Sequence, residues 1–161
     1  MVIISNYLFS TIFIPRQITY VYNLLKLISF WRKLMHKKVI GDPVVIGGRT
    51  LSLSRAIRAG DFIFLTGQVP FKNGEVMTDG TIEEQTEVVI EDIKKTLKTA
   101  NCQLTNIVKA MVWLSKKEYF PGFNEVFSKY FPVDPPARSA VVNELLVDVK
   151  VEIEVIAYKP E

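Results

Sequence analysis

Cysteine and histidine are nearly missing: the 161-residue chain has one of each, Cys102 and His36. A lone cysteine closes no internal disulfide, which fits a reducing compartment and argues against a disulfide-stapled secreted scaffold. A lone histidine, at the leading end of the 35–161 body and ahead of its first strand-like segment, excludes a multi-histidine metal centre and argues against a His-based triad. An excess of charge is missing too. The formal net charge is +3, yet Arg16, Lys26, Arg32 and Lys33 fall in residues 1–34, which contain no Asp or Glu; without those 4, 16 of the 20 Lys and Arg remain against 17 acidic residues. The body is therefore about neutral and lacks the clustered Lys/Arg of a general nucleic-acid-binding surface.

The chain is long enough for one core, and 48% of it is hydrophobic, so a single domain is expected. Its first 34 residues stand apart. They are rich in Ile, Leu, Phe and Tyr, but Asn6, Pro15, Arg16, Gln17, Asn23 and Lys26 break the apolar run below the length of a spanning helix. Met35 is expected to be the functional start, with residues 1–34 a misplaced start or a dispensable extension. An acid-free, basic, amphipathic stretch also suits an organelle-targeting peptide. The organisation is then 1–34 as an extension and 35–161 as the domain, without a membrane segment in the latter. A cytoplasmic location follows, or a mitochondrial one if residues 1–34 direct it there.

The body alternates strand-like and helix-like segments. Residues 43–48 read as a short edge strand ending in a glycine turn, and residues 53–59 and 62–66 as strands flanking Gly60-Asp61. Lys72-Asn73-Gly74-Glu75 is a second tight turn. Thr81-Ile82-Glu83-Glu84 has the form of a capping box, and Ile82, Thr86, Val89, Ile90, Ile93 and Leu97 give a helical stripe to about Ala100. Cys102, just past that end, is expected to be a packing residue. Residues 107–114 read as a buried strand. A second helix, roughly residues 118–131 with Pro121 in its first turn, gathers Phe120, Phe123, Phe127 and Tyr130 on one side, a stripe expected to serve the core. Pro132, Pro135 and Pro136 end it. The order β-β-α-β-α-β-β predicts an α+β mixed sheet with both helices on one face. The other face must be covered or wet.

The last two strands draw most attention. Val149, Val151, Ile153, Val155 and Ala157 alternate with Lys150, Glu152, Glu154, Ile156 and Tyr158, the period of a half-buried strand. Before it, Arg138, Ala140 and Val142 share one side of residues 136–142, and the short connection predicts an antiparallel hairpin turning near Leu145. That register sets Arg138 directly opposite Glu152. Such a pair is ordinary sheet decoration, contributing about 0.2–1 kcal/mol, or it is the polar floor of a pocket for a small anion; the pattern alone leaves both open. Thr66-Gly67-Gln68, taken alone, is a plain turn.

Pro136-Ala137-Arg138-Ser139 followed by Val151-Glu152-Ile153 resembles the signature of the RidA/YjgF family of reactive-imine deaminases. The first hairpin with Thr66-Gly67-Gln68-Val69-Pro70, the helix opened by Glu83-Glu84-Gln85-Thr86, the strand through Ala110-Met111-Val112-Trp113 and the helix through Phe123-Asn124-Glu125-Val126-Phe127 are similar to that family in the same order. The resemblance runs from about residue 45 onward. It implies a chorismate-mutase-like homotrimer with sheets facing inward and a ligand pocket at each subunit boundary, no cofactor and no metal. The ligand would be a small carboxylate-bearing imine or keto acid, and the reaction hydrolytic deamination of 2-aminoacrylate-type enamines and imines to keto acids and ammonia. Arg138 would anchor the carboxylate, Glu152 would handle water and proton, and Thr66 and Gly67 would line the pocket. Three places depart from the usual pattern: Leu53 stands where tyrosine is common, Ala140 where cysteine is common, and Glu144-Leu145-Leu146-Val147 replaces the usual bend containing Leu-Pro and is one residue shorter. These changes enlarge and dry the pocket, which points to a divergent subgroup or to a non-catalytic binding module.

Overall fold

The computed structural model describes residues 20–28 and 37–160. These fall into two units, one within Met1–Leu34 and one within Met35–Glu161. In the first, residues 20–28 form a helix, α1. His36, the start at Met35 and most of the extension lie outside the described residues.

The second unit is built on a six-stranded sheet. Its strands, in chain order, are β1 (Lys37–Ile40), β4 (Ala56–Ala59), β5 (Phe62–Leu65), β8 (Ile107–Leu114), β9 (Ala137–Val142) and β10 (Val151–Tyr158). Two small ribbons, β2 (Val45–Ile46) with β3 (Arg49–Thr50) and β6 (Phe71–Lys72) with β7 (Glu75–Val76), are appended to it. Across the sheet the order is β1-β4-β5-β10-β8-β9. Helices α2 (Ile82–Thr99) and α3 (Phe120–Tyr130) pack on one face, as the α+β reading anticipates.

Local sequence explains most of these elements. Gly60, at φ +58°, makes the β4–β5 turn, and Asn73 and Gly74, both at positive φ, make the β6–β7 turn. The capping box of α2 is closed: Glu84 N–H donates to Thr81 Oγ1 at 3.2 Å and Thr81 N–H to Glu84 Oε2 at 2.8 Å. Val89, Ile90, Ile93 and Leu97 then meet Ala110, Val112, Leu114, Val151, Ile153 and Val155 from the sheet, with Phe123, Val126 and Phe127 from α3, in one buried core. Cys102 is buried in that core. Gln85, also wholly buried, donates to the carbonyls of Met77 and Asp79 and accepts from Lys150 N–H, tying the loop before α2 to the start of β10. This amide satisfies three backbone groups that the core would otherwise strand.

Three expectations are corrected. The edge strand is β1, and residues 45–46 form only a ribbon with β3. The second helix begins at Phe120, after a single 3₁₀ turn, Lys117–Tyr119. The third correction is the largest: β9 does not pair with β10. It runs parallel to β8 on the outer edge, and β10 lies on the other side of β8, antiparallel to both β8 and β5. Residues 143–150 are long enough to carry the chain past the end of β8, so no tight turn is imposed. Burial decides the order. Val151, Ile153, Val155 and Ala157 are all buried, which suits the centre of a sheet, whereas Val141 and Val142 of β9 remain exposed at its rim.

Candidate functional site

The changed strand order separates the two residues on which the sequence reading centred. Arg138 is in register with Ala110 and Glu152 with Trp113. Ala110 faces the helices, and Trp113 faces the open side. Arg138 and Glu152 are thus about 10 Å apart across the sheet, about 10 Å apart along it, and on opposite faces. Within one chain they do not form a pocket floor.

One group of predicted residues gathers on the open face. Beyond β5 the chain stays extended, and Gln68 bridges to Ile153, N–H to O at 2.9 Å and the reverse at 3.0 Å. This pairing continues the sheet just far enough to lay Gly67 beside Glu152, so closely that a β-carbon at 67 would overlap Glu152 Oε1. The Gln68 amide turns back to the Thr66 carbonyl at 3.1 Å, fixing the turn. Thr66 and Gly67 also line, with Leu53, a cavity of about 90 Å³ bounded by Val44, Val45, Ile46, Arg55, Phe71 and Asp92 of α2; Glu152 is not among its walls. Burial raises the pKa of the half-buried Glu152, and the nearby charge of Glu154 adds to the rise. A carboxyl moved that way is suited to exchanging protons nearer neutrality.

The other group gathers on the helix side of the edge strand. Arg138 donates from Nη2 to Asn124 Oδ1 at 2.8 Å. Its guanidinium lies over Phe127 at 4.5 Å from the ring centre, over Phe123 at 5.2 Å and near Phe120 at 5.9 Å. Burial lowers its pKa from the usual arginine value, with no carboxylate contributing. Among the described residues its only hydrogen bond is the one to Asn124, so most of the fork's donors are left for an incoming oxyanion. Ala140 stands two residues further along the same side of β9.

Sequence reasoning missed Asn124 and Phe120. The aromatic stripe of α3 was expected to be core. Phe123 and Phe127 are, but Phe120 is 43% exposed and flanks the arginine. A polar, weakly helix-forming Asn inside that stripe was the available signal. Among the described residues no group of three or more His, Cys, Asp or Glu could hold a metal ion.

Comparison with known proteins supplies the context for these two groups of residues. The family model described as Endoribonuclease L-PSP matches residues 49–159. A RutC family protein of Pyrococcus horikoshii is 45% identical over 109 residues, covering 66% of this chain and 86% of that one. Protein MMF1, mitochondrial, of Saccharomyces cerevisiae is 39% identical over 107 residues, covering 66% and 74%. The solved structure of YyfA of Yersinia pestis, a protein of the Rid family, superposes with a TM-score of 0.69 at 31% identity over 76% of this chain and 99% of that one.

Proposed function

The chain belongs to the Endoribonuclease L-PSP family, the YjgF/RidA family, and on that premise we propose that it hydrolyses reactive 2-imino acids to 2-keto acids and ammonia without a cofactor. The observation that carries this reading is the state of Arg138: half-buried, oriented by Asn124 and three aromatic rings, and paired with no carboxylate. A cation so placed calls for an external acid group.

The site becomes complete when a second copy brings its Thr66, Gly67 and Glu152 to the Arg138 edge of the first. A homotrimer with open sheet faces turned inward does this, and it also covers Phe62, Phe64 and Tyr158, aromatic residues each more than 40% exposed on that face. Arg138 then holds the substrate carboxylate. Glu152 takes a proton from water as the water oxygen adds to the carbon of the protonated imine, and passes it to the amino nitrogen of the resulting carbinolamine; as the C–N bond breaks and ammonia leaves, the carbinolamine hydroxyl gives its proton to Glu152 and the keto C=O forms. The Thr66 hydroxyl and the turn around Gly67 orient the adding oxygen.

The test is ammonia release from an imine generated in situ by an amino-acid oxidase. Arg138→Ala and Glu152→Gln should each abolish the acceleration. Mixing the two variants through an unfolding and refolding step should restore about a quarter of the wild-type rate, the random share of boundaries with both intact groups. Unchanged turnover in Arg138→Ala sinks the proposal. Leu53 supports a second reading, a trimeric binding module for a keto or amino acid; ligand binding by the wild type without faster imine decay would select it. RNA cleavage finds less support, because the neutral body offers no phosphate-binding stripe. A cytoplasmic location remains our reading, with the mitochondrial name of the yeast relative favouring the alternative.

A further inference from the structure

Helix α1 carries one broad apolar face, formed by Tyr20, Val21, Leu24, Leu25, Leu27 and Ile28. All nine residues from Tyr20 to Ile28 are exposed, including Tyr20 at 73%, Leu25 at 59% and Leu27 at 58%. Asn23 and Lys26 are its only non-aromatic polar residues. They stand three positions apart, hence about 60° apart around the axis, on the side opposite that face. Lys26 Nζ lies 4.9 Å from the centre of the Tyr22 ring, so the single charge folds against an amphipathic aromatic. None of the described helices is long and apolar enough to cross a membrane.

An uncovered helix of this kind needs an apolar phase beside it. A groove in a partner protein takes a narrow stripe at i, i+3, i+4 and i+7. An apolar face about 160° wide, formed by Tyr20, Val21, Leu24, Leu25, Leu27 and Ile28 opposite Tyr22, Asn23 and Lys26, suits half-immersion at the boundary between headgroups and acyl chains, where one side stays in water. Tyr20 fits that depth, with its ring inside and its hydroxyl in water. Charge selects the lipid: residues 1–34 hold Arg16, Lys26, Arg32 and Lys33 and no acidic residue, the composition attracted to an anionic surface. We infer that α1 is an interfacial helix that docks the protein on an anionic lipid membrane, lying in its surface without spanning it.

The test is co-sedimentation of the full chain with vesicles of phosphatidylcholine and phosphatidylglycerol in equal parts, against phosphatidylcholine alone. The wild type should pellet with the anionic vesicles at least tenfold more than with the neutral ones, and less at high salt. Leu24→Glu with Leu27→Glu should return it to background while the melting temperature of the 35–161 domain is unchanged, showing that the domain is intact. Equal pelleting of the double variant, equal pelleting on neutral vesicles, or no pelleting at all overturns the inference. So does a native protein whose measured mass begins at Met35, or one whose residues 20–28 bind an import receptor but no vesicle. Because the readout is lipid binding, a failed deaminase assay leaves it untouched.

Discussion

Gly67 and Glu152 touch: the space a β-carbon would occupy at 67 is filled by the glutamate's Oε1. Gly67 does not have a positive φ, so its glycine is required by the neighbour and not by the backbone. The atom in the way is the end of a flexible side chain. Gly67→Ala should therefore fold with nearly wild-type thermal stability while swinging the Glu152 carboxyl out of place. Displacing a proton-transfer group by about 1 Å costs on the order of 10²-fold in rate. Thermal melts alongside imine turnover check this; a variant with full activity would separate Glu152 from the chemistry.

Asn124 makes the only hydrogen bond to Arg138 among the described residues, at 2.8 Å. It is a positioning residue in the proposed reaction. In Asn124→Ala the guanidinium keeps its aromatic rest on Phe127 but loses the contact that sets its plane. A hydrogen bond to a charged group contributes about 1.5–3 kcal/mol, so KM for the imino acid should rise by roughly 10- to 100-fold with a smaller change in kcat. Asn124→Asp should raise KM as well, for a different reason: a fixed carboxylate would pair with Arg138 and compete with the substrate. A steady-state series separating KM from kcat reads both outcomes.

The parts of the fold that local chemistry dictates were legible in the sequence. The α2 capping box, the Gly60 and Gly74 turns and the core stripe of Val89, Ile93 and Leu97 depend on residues close together along the chain. The placement of β9 was not, because a strand with Arg138, Ala140 and Val142 on one side satisfies a hairpin with β10 and a parallel pairing with β8 equally well. What chooses between them is the burial competing for the sheet centre, a property of the whole chain. The same non-locality hid the separation of the candidate residues into two groups. Thr66, Gly67 and Glu152 do come together, and so do Arg138 and Ala140, but the sheet holds the two sets on opposite faces. Asn124 was hidden by its neighbours, since an aromatic stripe reads as core and draws the eye from the polar residue within it.

Glu152 should leave a pH signature in stability. Burial first, and then Glu154, raise its pKa above the ordinary 4.5, so the folded state holds its proton more tightly than the unfolded one. Stability from this group is fully present below 4.5 and is lost as pH rises through the raised folded value. Glu152→Gln removes that loss. The variant should melt higher than wild type near neutral pH, and the two curves should converge as pH falls toward 4.5. Melting temperatures at several pH values test the sign. Turnover that falls while stability rises would mark Glu152 as a group kept for function at a cost in stability.

Leu53 lines the same cavity as Thr66 and Gly67 and is 41% exposed. A tyrosine placed there is the informative substitution. Its hydroxyl would add a donor beside the substrate, and its ring would fill space now bounded by Val44, Val45 and Ile46. As it stands, the wall mixes Val44, Val45 and Ile46 with Arg55, Phe71 and Asp92, and in the proposed reaction the space left by Leu53 favours imino acids with larger side chains over the smallest ones. Leu53→Tyr should reverse that order. One added neutral hydrogen bond is worth about 0.5–1.5 kcal/mol, so kcat/KM for the imine derived from alanine should rise by roughly 3- to 10-fold. The imine derived from leucine should lose a similar factor, because the ring takes the volume its side chain needs. Competition between the two imines in one reaction measures the ratio directly, and an unchanged ratio would mean that Leu53 does not contact the bound side chain.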